Sequence, residues 1–101
     1  MYKVVYLPTA RRQLEDAALY IAAELCAPDA AMKLLDEVDE AVSKLQEMPY
    51  RFPIYHTIYA MKHEVRFFSV KNYNVYYVVR EERKAVEIWR VVHQLRNQKS
   101  L

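Results

Sequence analysis

The stretch Tyr73-Asn74-Val75-Tyr76-Tyr77-Val78-Val79-Arg80, followed by Glu81-Glu82-Arg83-Lys84 and then by Ala85-Val86-Glu87-Ile88-Trp89-Arg90-Val91-Val92-His93, decides the fold. Both runs are built from β-branched and aromatic residues, and four polar residues separate them, so they read as two strands of a hairpin. A third run, His63 to Val70, precedes them across the turn-like pair Lys71-Asn72. Three successive antiparallel strands are therefore expected. Alternation places Tyr76 and Val78 opposite Tyr73, Val75, Tyr77 and Val79, and Trp89 and Val91 opposite Ile88 and Val92. Neither face is polar. One face is expected to meet the remaining elements of the chain and the other a partner.

Working towards the N-terminus, Pro49 to Lys62 shows no period and holds Pro49, Pro53 and several tyrosines, which predicts a surface loop with at most a short strand or turn. Before it, Ala31, Leu34, Leu35, Val38, Ala41, Val42 and Leu45 fall on one stripe opposite Asp36, Asp39, Glu40 and Lys44, predicting a helix from Pro28 to about Met48. Leu14, Ala18, Ile21 and Leu25 mark an earlier amphipathic helix, opened at Pro8 or Thr9 and broken by Cys26-Ala27-Pro28. Tyr2 to Leu7 is a short β-branched and aromatic run that ends at Pro8, and reads as a strand. The order is strand, helix, helix and three strands. It predicts an α+β fold, a mainly antiparallel sheet with a helical hairpin packed on one face, as one domain over residues 1–101.

Composition removes whole classes of function. With 101 residues, 53% of them hydrophobic and 28% charged, the chain suits one small globular domain. It contains no glycine, so phosphate loops, dinucleotide fingerprints and nucleophile elbows are excluded. Its one cysteine, Cys26, forms no internal disulfide, and His56, His63 and His93 are too widely spaced for a short metal-binding pair. No metal or other cofactor is expected. No run reaches membrane-spanning length, and the start resembles no secretory signal, which predicts a cytoplasmic protein. The charge of +2 is divided unevenly: five basic and nine acidic residues lie up to Pro49, against ten basic and four acidic after it. A basic, aromatic back half of this kind suits a nucleic acid or an acidic protein surface, or ordinary solvated strands.

Four stretches carry a family resemblance: residues 4–21, Met48-Pro49-Tyr50-Arg51-Phe52-Pro53, Val70 to Val79 with its Asn-Tyr-x-Val-x-Tyr hairpin, and Ile88-Trp89-Arg90-Val91-Val92-His93. In this order and spacing the chain resembles the RelE/ParE superfamily, the toxins of type II toxin-antitoxin modules that serve plasmid stabilisation or stress responses. The resemblance implies a toxin that inhibits growth, a functional face on the sheet opposite the helices, and a hetero-oligomer with an antitoxin from the neighbouring gene whose C-terminal segment wraps the toxin. It also implies one of two targets. ParE-like members poison DNA gyrase by binding, whereas RelE-like and YoeB-like members are ribosome-dependent endoribonucleases that cut messenger RNA.

Position by position, the nuclease branch carries an arginine directly after the tyrosine that opens the strand at Tyr73, and here that residue is Asn74. An amide donates a hydrogen bond but brings no charge to a phosphate. The basic positions of the preceding strand fall at Val65 and Phe67, with Arg66 pointing the other way. His93 matches the acid or base of YoeB-like toxins, with Gln94 where some members have tyrosine, and Arg96 matches a final arginine after a shift of one position. The resemblance thus offers His93, Arg66 and Arg96 as catalytic residues if the protein is a nuclease, and Asn74, Tyr76, Trp89 and Arg90 as residues that bind the target or the antitoxin. From the residues alone, His93 reads first as a strand-end histidine bonded to backbone and only second as a catalytic group. The missing arginine at Asn74 favours gyrase, with the messenger RNA endonuclease as the alternative.

Overall fold

The computed structural model describes residues 1–56 and 62–95. Strand β1 (Lys3–Tyr6) leads into α1 (Pro8–Leu19), whose first turn takes Pro8 where a missing N–H costs nothing. A π-helical turn, Tyr20–Glu24, continues α1, and α2 (Pro28–Ser43) comes next with another proline in its first turn. A 3-10 turn, Lys44–Gln46, closes α2. Strands β2 (Arg66–Val70), β3 (Tyr73–Arg80) and β4 (Ala85–His93) complete the sequence of elements. β3 and β4 have the bounds read from sequence. β2 starts three residues after His63, where the expected strand began.

The four strands form one sheet in the order β1-β4-β3-β2. β2, β3 and β4 are antiparallel neighbours, while β1 runs parallel to β4, which makes the sheet mixed. The helical hairpin covers one face. Ala10, Leu14 and Ala17 of α1 and Leu34, Val38 and Val42 of α2 pack on Phe68, Val70, Tyr73, Val75, Tyr77, Val86, Ile88 and Val91. Buried apolar area of this kind is the main favourable term holding the layers together. Within it, the Tyr77 hydroxyl donates to the carbonyl of Pro49 at 2.8 Å, so the one polar atom of a fully buried ring is satisfied.

Three details depart from the sequence reading. First, Leu25, expected on the buried stripe, is 57% exposed. The π turn, with Leu25 N–H donating to Tyr20 C=O, inserts an extra residue and rotates Leu25 off the core-facing stripe. Second, Val91 does not share a face with Trp89. A β-bulge opposite Tyr76/Tyr77 makes Ile88 pair with Tyr77 and Arg90 with Tyr76, so parity flips at Trp89. Val91 joins the helix-side core, and Trp89 packs with Val92 on the other side.

Third, the open face is not left wholly bare for a partner. The chain returns along the free edge of β2: Ile54 bridges to Arg66, Tyr55 N–H donates to Val65 C=O at 2.7 Å, and Phe67 N–H donates to Pro53 C=O at 3.1 Å. The Tyr55 ring sits edge-on to Tyr76 at 5.1 Å and to Phe67 at 5.9 Å. Tyr76, Val78, Val65 and Val92 are consequently buried in a second, smaller core. The aperiodic segment read as a surface loop supplies this cover, and also places Phe52 against the ring of Phe68.

A chain without glycine must find other residues for left-handed backbone. Cys26 (φ 51°), Lys71 (φ 56°) and Lys84 (φ 49°) take those positions, after the π turn, in the β2–β3 turn and at the end of the β3–β4 loop. The two-residue Lys71-Asn72 turn needs positive φ at its first residue to match the twist of the flanking strands.

Candidate functional site

The open face has two polar centres. At the end where β3 begins, Asn74 is held at both ends of its amide. Its Oδ1 accepts from the Ser69 hydroxyl at 2.7 Å and from Gln94 Nε2 at 3.2 Å, and its Nδ2 donates to the Tyr76 hydroxyl at 3.2 Å. Gln94 also donates to Ser69 Oγ at 3.3 Å. The hairpin makes this possible, because Ser69 pairs with Asn74 across β2 and β3, and alternation after the bulge sends Gln94 to the same side. All four side chains are uncharged. Such a cluster orients donors and acceptors for recognition but carries neither a base nor a cation for an oxyanion.

At the opposite end, Glu87 gathers Arg80 at 3.1 Å, Arg83 at 3.3 Å and the Trp89 ring N–H at 3.1 Å. Burial opposes its charge, yet the Trp89 donor and the two guanidiniums hold the carboxyl below its usual range. Arg80 also donates to His63 Nδ1 at 3.3 Å, and the His63 ring meets Trp89 edge-on at 5.7 Å. Between the two centres lie Tyr76 and Arg90, paired across β3 and β4. The bulge brings Arg90 to this face beside Trp89, and its guanidinium donates to the Trp89 carbonyl at 2.9 Å. Tyr76 is nearly enclosed by Tyr55 and Phe67, and burial raises the pKa of its hydroxyl.

Of the residues proposed as binding contacts, Asn74, Tyr76, Trp89 and Arg90 thus share one face. The proposed catalytic set does not converge. Arg66 pairs with Tyr77 while His93 pairs with Tyr73, a separation of four residues or about 13 Å along β3. Arg66 donates to the carbonyl of Phe52 at 2.7 Å, to that of Tyr50 at 3.3 Å and to the Glu64 carboxylate at 3.0 Å, and it stacks over the Tyr50 ring. As the strand alternation predicts, it points away from the open face, while Val65 and Phe67 belong to it. His93 lies on the helix side, its ring edge-on to Tyr73 at 5.2 Å, and its Nδ1 accepts from Leu95 N–H at 3.1 Å. This is the strand-end arrangement with the ring bonded to backbone. Arg96 lies outside the described residues.

Sequence reasoning did not assign Ser69, Glu87, Arg80 or His63 to this face. For Ser69, Arg80 and Glu87 the signal was present in the two hairpin turns, which fix the cross-strand pairs Ser69 with Asn74 and Val78 with Glu87. For His63 it was not, since the segment before β2 carries no period. No cluster of three or more histidine, cysteine or acidic side chains suited to a metal ion occurs among the described residues, and no helix among them is long and apolar enough to cross a membrane.

The family model described as "ParE toxin of type II toxin-antitoxin system, parDE" matches residues 4–98. Among solved structures, the chain is similar to one from the chromosomal ParDE toxin-antitoxin system of P. aeruginosa, with a TM-score of 0.70 at 18% identity, covering 92% of this chain and 96% of that one. It is also similar to one from the archaeal RelE-RelB complex of Pyrococcus horikoshii OT3, with a TM-score of 0.57 at 16% identity, covering 95% and 98%. At these identities the structures speak for the fold. No curated protein matches the chain. The family match runs from the second residue of β1 to beyond β4 and takes in both hairpins and both helices, and on it the chain belongs to the ParE toxins of type II toxin-antitoxin systems.

Proposed function

We propose that this protein arrests growth in the cytoplasm by binding and poisoning DNA gyrase, without catalysis of its own, and that an antitoxin encoded beside it neutralises it as a hetero-oligomer. One observation carries the choice of target: the residue after Tyr73 is an amide locked by Ser69, Gln94 and Tyr76 into an uncharged cluster. RNA cleavage through the 2'-hydroxyl needs a proton acceptor, a proton donor and a cation at the phosphate, placed together. Here His93 faces the helices and Arg66 is spent on the Phe52 and Tyr50 carbonyls and on Glu64. A face of fixed amides and hydroxyls, with Arg90 beside Trp89 and Arg80 paired to Glu87, suits recognition of a protein surface.

The test has two arms. Purified protein is added to gyrase in a DNA supercoiling assay that also scores trapped cleavage complexes, and messenger RNA from induced cells is mapped by primer extension. Inhibited supercoiling with intact messages is expected. Codon-phased cuts within translated regions, with gyrase unaffected, would overturn the reading in favour of the ribosome-dependent endonuclease.

A further inference from the structure

Four side chains on the open face close a ring. Glu87 Oε1 accepts from Arg80 Nε at 3.1 Å and from the Trp89 indole N–H at 3.1 Å, Arg80 Nη1 donates to His63 Nδ1 at 3.3 Å, and the His63 ring returns edge-on to Trp89 with centroids 5.7 Å apart. Arginine has donors and no acceptor, so this contact selects the tautomer: Nδ1 holds the lone pair and the neutral imidazole carries its hydrogen on Nε2. A protonated ring has no lone pair to offer and sets a second cation against the guanidinium. The surroundings are already cationic. Arg80 comes from β3, Glu87 from β4, and Arg83 of the loop between them donates to Glu87 Oε2 at 3.3 Å. On His63's own segment, Glu64 turns its carboxylate to Arg66 at 3.0 Å, and Lys62 is exposed. The carboxylate that would favour an imidazolium, Glu87, is thus shared between two guanidiniums. The Arg80 and Glu87 side chains are only 20% and 14% exposed, so salt and water screen them less than a surface pair.

His63 also stands two residues before Val65, whose carbonyl accepts from Tyr55 N–H at 2.7 Å in the pairing that brings the Tyr55 ring against Tyr76 and Phe67. A displaced His63 therefore acts on the cover of the second core as well as on Trp89. We propose that His63 is a pH switch: as the neutral ring it latches the Trp89 edge and the Val65–Tyr55 pairing to Arg80, and as the imidazolium it leaves Arg80, opens the Trp89 edge to water and loosens that pairing. Imidazoles change charge between about pH 5 and 8. The closed ring requires the neutral form, so it is present at the upper end of that interval and lost as pH falls. Glu87, whose carboxyl lies below its usual range, stays charged throughout and keeps Arg80 in place. The device rests on this geometry and not on the identity of the target.

Trp89 is the only tryptophan in the chain, so its fluorescence reports the switch directly. On acidifying the full chain from about pH 8 to about pH 5, the emission maximum is expected to move to longer wavelength. Hydrogen exchange at the Tyr55 amide, compared with that of His63→Gln at the same low pH, is expected to be at least about tenfold faster. His63→Gln offers Arg80 a neutral acceptor at every pH and should keep the high-pH spectrum throughout. His63→Lys is cationic over the whole interval and should show the low-pH spectrum even at its upper end. Quenching without a wavelength shift means that the imidazolium forms with the rings still packed, and overturns the switch. A spectrum insensitive to pH overturns it too, as does a transition that survives in His63→Gln and so belongs to another group. If either variant fails to fold, NMR of the parent decides: the Trp89 indole N–H and the His63 ring resonances titrating with one midpoint uphold the switch, and separate midpoints overturn it.

Discussion

Glu81 is the residue on which most of the chain's separate parts meet. It sits in the β3–β4 loop and accepts hydrogen bonds from the Tyr2 hydroxyl ahead of β1, the Tyr50 hydroxyl after α2, and Lys84 at 3.1 Å. The Tyr2 and Tyr50 donors, then Lys84, pull its carboxyl down to about 2 from 4.5. A group whose pKa is lower in the folded state stabilises the fold above its unfolded pKa, here 4.5, and that contribution disappears as pH falls towards about 2. Glu81→Gln is therefore expected to lower stability at neutral pH, where the contribution is fully present, and so to flatten the acid limb between these values, with the least change near pH 2; urea midpoints measured from neutral pH down across that range check it. An acid limb unchanged by the substitution would mean that the cluster contributes nothing. Tyr77 offers a sharper energetic test. Burial pushes its hydroxyl up to about 12, and Tyr77→Phe strands the Pro49 carbonyl in the core, for an expected loss of about 1–2 kcal/mol in denaturant unfolding. Neither partner pairing was legible in the sequence. Tyr77 could be placed on the buried face by alternation, but its acceptor lies in a segment without any period.

At the scale of elements, strands that alternate between well-defined turns could be read to their ends, as β3 and β4 were. What could not be read is where an element gains a residue. The run Ile88-Trp89-Arg90-Val91 satisfies either parity because both faces are apolar there, so the bulge left no mark in the pattern. Likewise Leu25 continues the helical spacing of Leu14, Ala18 and Ile21, and the π turn that carries it outward is invisible to a period count. The bulged strand relies on an interaction from outside the sheet, the Gln13 side chain on Val91 N–H. Gln13→Leu keeps helix propensity but leaves that donor unpaired beside a buried residue, and should lower stability by about 1–2 kcal/mol, measured by thermal or urea unfolding. Backbone strain gives the opposite sign. Cys26 holds φ at 51° and its exposed thiol donates to the Ala23 carbonyl at 3.7 Å, so Cys26→Gly removes a left-handed penalty at a helix end. The penalty of about 1–2 kcal/mol, less the extra chain entropy of glycine of about 0.5–1 kcal/mol, leaves a gain of about 0.5–1 kcal/mol. A Cys26→Gly protein no more stable than the parent would show that the turn is held without strain.

For the whole molecule, the layered arrangement was legible because the helices bear single apolar stripes while the strands are apolar on both faces. The expectation that the second face waits for a partner was only half fulfilled, since the segment around Tyr55 covers Tyr76 and Phe67. Exposed apolar surface lies instead at the tip of the helical hairpin, where Leu19, Leu25 and Met32 are each more than half exposed. That distribution separates the chain's two proposed partnerships. The proposed target contacts Asn74, Trp89 and Arg90 lie on the open face, whereas His93 and the hairpin tip lie on the helix side. His93, with its ring on the α1 side and its Nδ1 bonded to Leu95 N–H, belongs to the second group. His93→Ala should accordingly leave growth arrest and gyrase inhibition within about twofold of the parent, while a complex with the antitoxin at a hundredfold excess over Kd still adds about 2.7 kcal/mol of apparent stability in the parent. Arg90→Glu should do the reverse, cutting gyrase inhibition by at least about tenfold, with the fold intact because among the described residues the Arg90 guanidinium bonds to no more than the neighbouring Trp89 carbonyl. Parallel supercoiling and thermal-shift assays on the two variants distinguish the cases. If instead His93→Ala abolishes arrest in a protein that unfolds at the parent's temperature, the histidine acts chemically, and a binding mechanism on the open face is untenable.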